Sequence, residues 1–170
     1  MSELSRREIE ALREALDDEY RAVATYDRVI ADFGPVRPFA NIREAEARHI
    51  AALSALFARY GLALPRNPWP GRVGRYASVR AACQAGVAAE IENARLYERL
   101  LAAAGHADIR AVFRRLQQAS QLRHLPAFRR CLARRAAGTA EIKRGARASP
   151  AAEPPRRRRR RMHAGAKSKS

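Results

Sequence analysis

Glu19, Glu46, His49, Glu90 and His124 stand where the apolar seams of four predicted helices call for Leu, Val or Phe. An unpaired carboxylate in a protein core costs several kcal/mol, so each must be protonated, ion-paired or bound to a metal. Three carboxylates together with two imidazoles suit a metal that accepts mixed oxygen and nitrogen ligands, such as iron or manganese. Glu46-x-x-His49 places two of these groups on one helix face, a turn apart.

The seams that must position them follow from apolar residues spaced alternately three and four apart. The first reads Ile9, Leu12, Leu16, Glu19, Val23, Tyr26, Ile30, Phe33, and the second Ile42, Glu46, His49, Leu53, Leu56, Tyr60. The third is Val79, Cys83, Gly86, Glu90, Asn93, Tyr97, Leu101, and the fourth Phe113, Leu116 or Gln117, Ser120, His124, Phe128, Cys131. Each helix carries at least one polar residue in its seam.

Boundary signals agree with four helices. Ser5 and Glu8 form a capping-box pattern, and Gly34-Pro35 stops the first helix. Asn41 with Glu44 caps the second, which ends at Tyr60-Gly61; the third runs from about Ser78 to Ala104, and Asp108 caps the fourth. Pro126 removes a backbone donor and predicts a kink just beyond His124. The Gly105–Ala107 turn makes helices 3 and 4 an antiparallel hairpin, whereas Leu62 to Arg75, about fifteen residues, reaches ~50 Å and lets helices 2 and 3 run parallel. In the hairpin Glu90 and His124 fall at similar height. In the first hairpin Glu19 and Glu46 come level only if Gly34 to Ala40 runs back along the bundle, which is the expectation; a loop that merely capped the end would leave them on the order of 13 Å apart.

With 47% hydrophobic residues, the 170-residue chain has enough for one domain with a real core, placed at residues 1–135. No opening stretch reads as a signal peptide and no apolar run approaches the ~20 residues of a membrane span, so a cytoplasmic protein without membrane contact is expected. Residues 136–170 hold 11 Lys and Arg against 2 acids, about half of the chain's net charge of +17. Their Gly, Ala, Pro and Ser content and lack of apolar periodicity predict a disordered basic tail. Arg156, Arg157, Arg158, Arg159, Arg160 and Arg161 are its candidates for binding DNA or RNA phosphates, with aid to solubility as the competing role.

Glu19 with Tyr26, Pro38-Phe39-Ala40-Asn41-Ile42 leading into Glu46-x-x-His49, Gly86-x-x-x-Glu90, and Ser120-x-x-x-His124-Leu125-x-Ala127-Phe128 resemble a functionally uncharacterised bacterial branch of the ferritin-like, rubrerythrin-related proteins. The resemblance covers roughly residues 8 to 133. It implies an all-α, ferritin-like four-helix bundle with one long crossover between helices 2 and 3 and a carboxylate-bridged di-iron centre at mid-height. Carried over, it makes Glu19 a terminal ligand, Glu46 a bridging one and His49 the imidazole of one metal, with Glu90 and His124 on the other. The fuller pattern has a second Glu-x-x-His, but the residue three before His124 is Gln121. A second bridge must then be water or hydroxide, or only one metal binds tightly.

Around these five, Tyr26 and Tyr97 lie two turns from a ligand on the same seams, as hydrogen-bond partners of the ligands, a radical relay or plain core aromatics. Asn93 is placed to hydrogen-bond Gln121, while Glu92 lies off the seam in solvent. Residues at one height of the 3–4 hairpin have numbers summing to 214, which makes Cys83 and Cys131 neighbours about two turns, ~10 Å, from the metals. They form a candidate redox pair or two inert buried thiols. The functions these features support are a di-iron or manganese oxidoreductase acting on peroxide or dioxygen, iron detoxification, which as storage would need a homo-oligomer, and nucleic-acid association through the tail on a structural bundle. No Cys-x-x-Cys pairs exist to build the rubredoxin-like centre of rubrerythrin proper.

Overall fold

The computed structural model describes residues 3–134. The tail from residue 136, with its predicted disorder and six consecutive arginines, lies outside them. Four α-helices, α1 (Arg6–Phe33), α2 (Phe39–Arg59), α3 (Val79–Ala103) and α4 (Ala107–Ala119), make up most of the described chain, and no strand occurs among the described residues. A π-helical turn at Ser120–His124 leads from α4 straight into helical residues 125–134, so these segments form one continuous fourth rod.

At the start of α1, Ser5 and Glu8 close the capping box: the Ser5 hydroxyl accepts from the Glu8 amide at 3.3 Å and the Glu8 carboxylate from the Ser5 amide at 3.0 Å. The helix ends at Gly34, whose φ of +78° suits a residue without a Cβ. α2 begins at Phe39, three residues earlier than expected. Asn41 does not cap it: Pro38, after a cis Arg37–Pro38 bond, holds the N-cap position without a side-chain hydrogen bond, and Asn41 is an exposed residue of the first turn. Asp108 likewise sits inside the first turn of α4, with His106 as N-cap.

The turn after α1 does run back along its helix. Phe39 packs on Tyr26, ring centroids 5.7 Å apart, so α2 starts about two turns, ~10 Å, below the end of α1. Seven residues before Tyr26 and seven after Phe39 lie Glu19 and Glu46, level with one another.

Leu62 to Arg75 then travels along α1. Tyr20 donates to the Pro65 carbonyl at 3.4 Å, the Trp69 indole N–H to Asp17 at 2.8 Å, and Arg75 to Asp32 near the C-terminal end of α1 at 2.6 Å. α2 and α3 are therefore parallel, and Leu53 and Phe57 share one apolar cluster with Leu96 and Leu100, while Phe39 and Ile42 share another with Ala82 and Cys83. The two clusters occupy opposite halves of the molecule, and the polar seam positions separate them.

Seam and burial part company toward helix ends. Val29 and Leu100 are fully buried, while Ile30 and Leu101 are only partly so.

The expected kink beyond His124 takes another form and place. The Leu125 N–H bonds back to the Ser120 carbonyl, five residues away, so the irregularity precedes Pro126 as a π turn instead of following His124. Proline cannot donate to the turn before it, and widening that turn accommodates the missing bond.

Candidate metal centre

Glu46 is the hub where four rods meet. Its Oε2 lies 2.6 Å from His49 Nδ1, and its Oε1 lies 3.1 Å from His124 Nδ1. Glu19 Oε2 approaches the same His49 nitrogen at 3.3 Å, and Glu90 Oε1 approaches His124 Nδ1 at 3.6 Å. Two sets result, Glu19, Glu46 and His49, and Glu46, Glu90 and His124, each with ligand atoms within 4.8 Å of one another. They share Glu46, one oxygen facing each histidine. The imidazoles stack with centroids 5.7 Å apart and planes at 26°. Glu19, Glu46, Glu90 and His124 are 3–4% exposed, too little for water to neutralise their charge.

A ring of donors fixes the carboxylates. Tyr97 donates to Glu19 Oε1 at 2.8 Å, Tyr26 to Glu90 Oε1 at 3.4 Å and Ser120 to Glu90 Oε2 at 2.5 Å. Gln121 lies where the second Glu-x-x-His would have its acid, and its amide donates to the Glu90 carbonyl at 2.8 Å and the Ser120 hydroxyl at 3.0 Å. It points along α3, not at the carboxylates. Asn93 does not bond Gln121; it donates to Asp18 at 2.9 Å, because its turn of α3 faces α1. Glu92 is exposed and pairs with Arg95. Cys83 and Cys131, at one height of the α3 hairpin, are joined as a disulfide with Cα atoms 6.3 Å apart.

Sequence reading missed two contributors. Ser120 was visible only as a small seam residue, and its hydroxyl reaches Glu90 because the π turn widens the helix there. Glu8, legible as a capping residue, is also buried and accepts from the Gly105 and His106 amides at 2.9 and 3.0 Å, tying the start of α1 to the turn before α4. Burial works to raise its pKa, but the bonds from His106 and Ser5 hold it well below the usual carboxylate range.

The donor set fits cations. His124 Nδ1 is buried without an aligned hydrogen-bond partner and lies between two carboxylates, a position where one shared cation would satisfy all three groups. Protons take the cations' place when the cluster is metal-free. Burial and the nearby Glu46 push Glu19 up to about 8. Burial lowers the basicity of His49, but Glu19 and Glu46 outweigh it and raise the imidazole to about 9; Glu46 and Glu90 likewise bring His124 to about 10. Burial also opposes ionisation of Glu46, yet both histidines hold it well below the usual range.

Three protons therefore sit on Glu19, His49 and His124 at pH 7, and ligands must shed theirs to bind metal. Loading at pH 7 is expected to release about three protons per chain, measured by calorimetry in buffers of different ionisation enthalpy, and fewer as pH approaches 10. All three pKa values lie above their unfolded values of 4.5 and 6.5, so these groups stabilise the metal-free fold most at low pH and lose that contribution as pH rises through 8 to 10.

Two openings reach the cluster: a cleft of about 360 Å³ between α1 and α3, and a groove of about 890 Å³ between α2 and the fourth rod. Small residues, Ala22, Ala85 and Ala89, keep the first open. No helix among the described residues is long and apolar enough to cross a membrane.

No known family profile matches the chain, and no curated protein matches it. Its fold is similar to the crystal structure of a hypothetical protein from Methanococcus jannaschii, with a TM-score of 0.72 over 80% of this chain and 85% of that one at 22% identity.

Proposed function

We propose that the chain is a ferritin-like four-helix bundle with a di-iron carboxylate centre, or its manganese counterpart, and that it acts as an oxidoreductase on peroxide or dioxygen. The observation that supports this reading is the pair of Glu, Glu, His sets sharing Glu46. Glu19 and His49 would hold one ion, Glu90 and His124 the other, with Glu46 between them. Three carboxylates leave two divalent cations with one excess positive charge, which favours an added hydroxide as a further bridge.

Bound iron or manganese would supply redox equivalents and Lewis acidity toward the oxidant. The chain's own part is to orient and to exclude water. Tyr97, Tyr26 and Ser120 hold the carboxylates through hydrogen bonds, which is how residues around ligands tune a metal site. The apolar clusters close the site above and below, and the α1–α3 cleft leaves a side path wide enough for a diatomic or peroxide.

Ferrous iron added anaerobically to metal-depleted protein, then mixed with peroxide or dioxygen, tests the reading. The expected result is oxidation of two ferrous ions per chain, repeated on re-reduction, by a small oligomer. Uptake of many irons per chain by a large assembly would instead indicate storage, and oxidation no faster than free iron would remove the proposal.

A further inference from the structure

We infer that the groove between α2 and the fourth rod is a nucleic-acid binding surface that takes the phosphate backbone. Arg37 and Arg48 line one wall, and Arg115, Arg123, Arg130 and Arg134 the other. All six are exposed, and none of their side chains has a hydrogen bond or ion pair among the described residues. Arg21, Arg43, Arg59, Arg75, Arg95 and Arg99 each pair with an Asp or Glu, and other exposed arginines such as Arg13, Arg66, Arg72 and Arg80 stand unpaired outside the groove; what sets the groove apart is six arginines lining one cavity. The groove contains a single acid, Glu44, to answer six guanidinium groups. Unpaired like charges gathered along one cavity repel each other, and a polyanion relieves that repulsion.

Length and composition favour nucleic acid over a small anion or a second copy. From Arg115 to Arg134 the rod extends about 28 Å at 1.5 Å per residue, far beyond a dianion and close to eight base steps at ~3.4 Å each. A second copy docked here in two-fold fashion would set six arginines against six. No Phe, Tyr or Trp lines the groove, and its two imidazoles stack on each other, so it points to backbone contacts without sequence preference. Ala45, Ala119 and Ala127 keep the walls apart, and Leu122, 73% exposed, stands on the rim. The groove floor is His49 and His124, so a bound strand would cover one opening to the cluster and leave the α1–α3 cleft free. The inference goes beyond the proposed redox function and does not depend on it, since phosphate binding needs no metal.

Fluorescence anisotropy with a labelled 20-base-pair duplex, over a salt series on the full-length protein, tests it. A triple variant, Arg115→Gln, Arg123→Gln, Arg130→Gln, is expected to bind at least tenfold more weakly, with a log–log salt slope shallower by about 3. A control, Arg66→Gln, Arg72→Gln, Arg80→Gln, removes the same charge from exposed arginines outside the groove and should change affinity less than about threefold. Gln118→Glu, isosteric on the groove wall, should weaken binding severalfold without touching the fold, which circular dichroism checks. Equal losses in both triple variants, or undiminished binding by the groove variants, would overturn the inference.

Discussion

A Glu46→Ala chain is expected to lose both cation positions at once, with apparent affinity for each falling by more than 100-fold. Hydrogen-bond partners of metal ligands commonly cost 10–100-fold when removed, and Glu46 is itself the carboxylate both sets share. Glu19→Ala should instead weaken the His49 position and spare the His124 position, and Glu90→Ala the reverse. The metal-free protein should suffer as well. His49 and His124 lie 2.6 and 3.1 Å from Glu46, and without it two buried imidazolium groups face each other with less compensating charge. Removing one partner of a buried pair typically costs about 3–5 kcal/mol, so chemical denaturation near pH 7 should show a loss of that order. Above pH 10, where the imidazoles are neutral, the difference should shrink.

Gly86→Ala carries the second large effect, and here the expected sign opposes helix propensity. Alanine in the middle of a helix usually gains about 1 kcal/mol over glycine. At this position a Cβ would lie 2.7 Å from two ring carbons of Phe128. Phe128 is fully buried and cannot retreat, because Tyr26 and Phe39 pack on it with centroids 5.9 and 5.3 Å away. Overpacking of this kind costs about 1–3 kcal/mol. We expect a net loss of about 1 kcal/mol, and at most about 2, seen as a fall in Tm of roughly 3–5 °C for a domain of this size. The ring displaced would be the one that seats Tyr26 against Glu90, so cation affinity at the His124 position should fall too. A variant more stable than the parent would show that the aromatic cluster repacks freely.

How much of this was legible in the sequence depends on which force placed each residue. Periodicity located the five polar groups because burial acts on whole helix faces, and it paired Cys83 with Cys131 through the constant register of an antiparallel hairpin. The retreat of the chain after α1 was legible as well, since Glu19 and Glu46 could meet in no other way. Local chemistry was harder. Asn41 has a capping side chain, yet tertiary packing of Phe39 against Tyr26 draws the helix start back past it. Asn93 sits on the expected seam, but its turn of α3 faces α1, and it donates to Asp18. The π turn leaves only Pro126 as a trace, and no periodic pattern reports that Ser120 would swing onto Glu90.

The central claim is that two cation positions share one carboxylate at the meeting point of four rods. Its most direct test is titration of metal-depleted, untagged protein with ferrous iron or manganese, with bound metal per chain read by elemental analysis after removal of the excess. A plateau is expected at two ions for the parent chain, one for Glu19→Ala and none for Glu46→Ala. Equal metal content in the parent and Glu46→Ala proteins would contradict it.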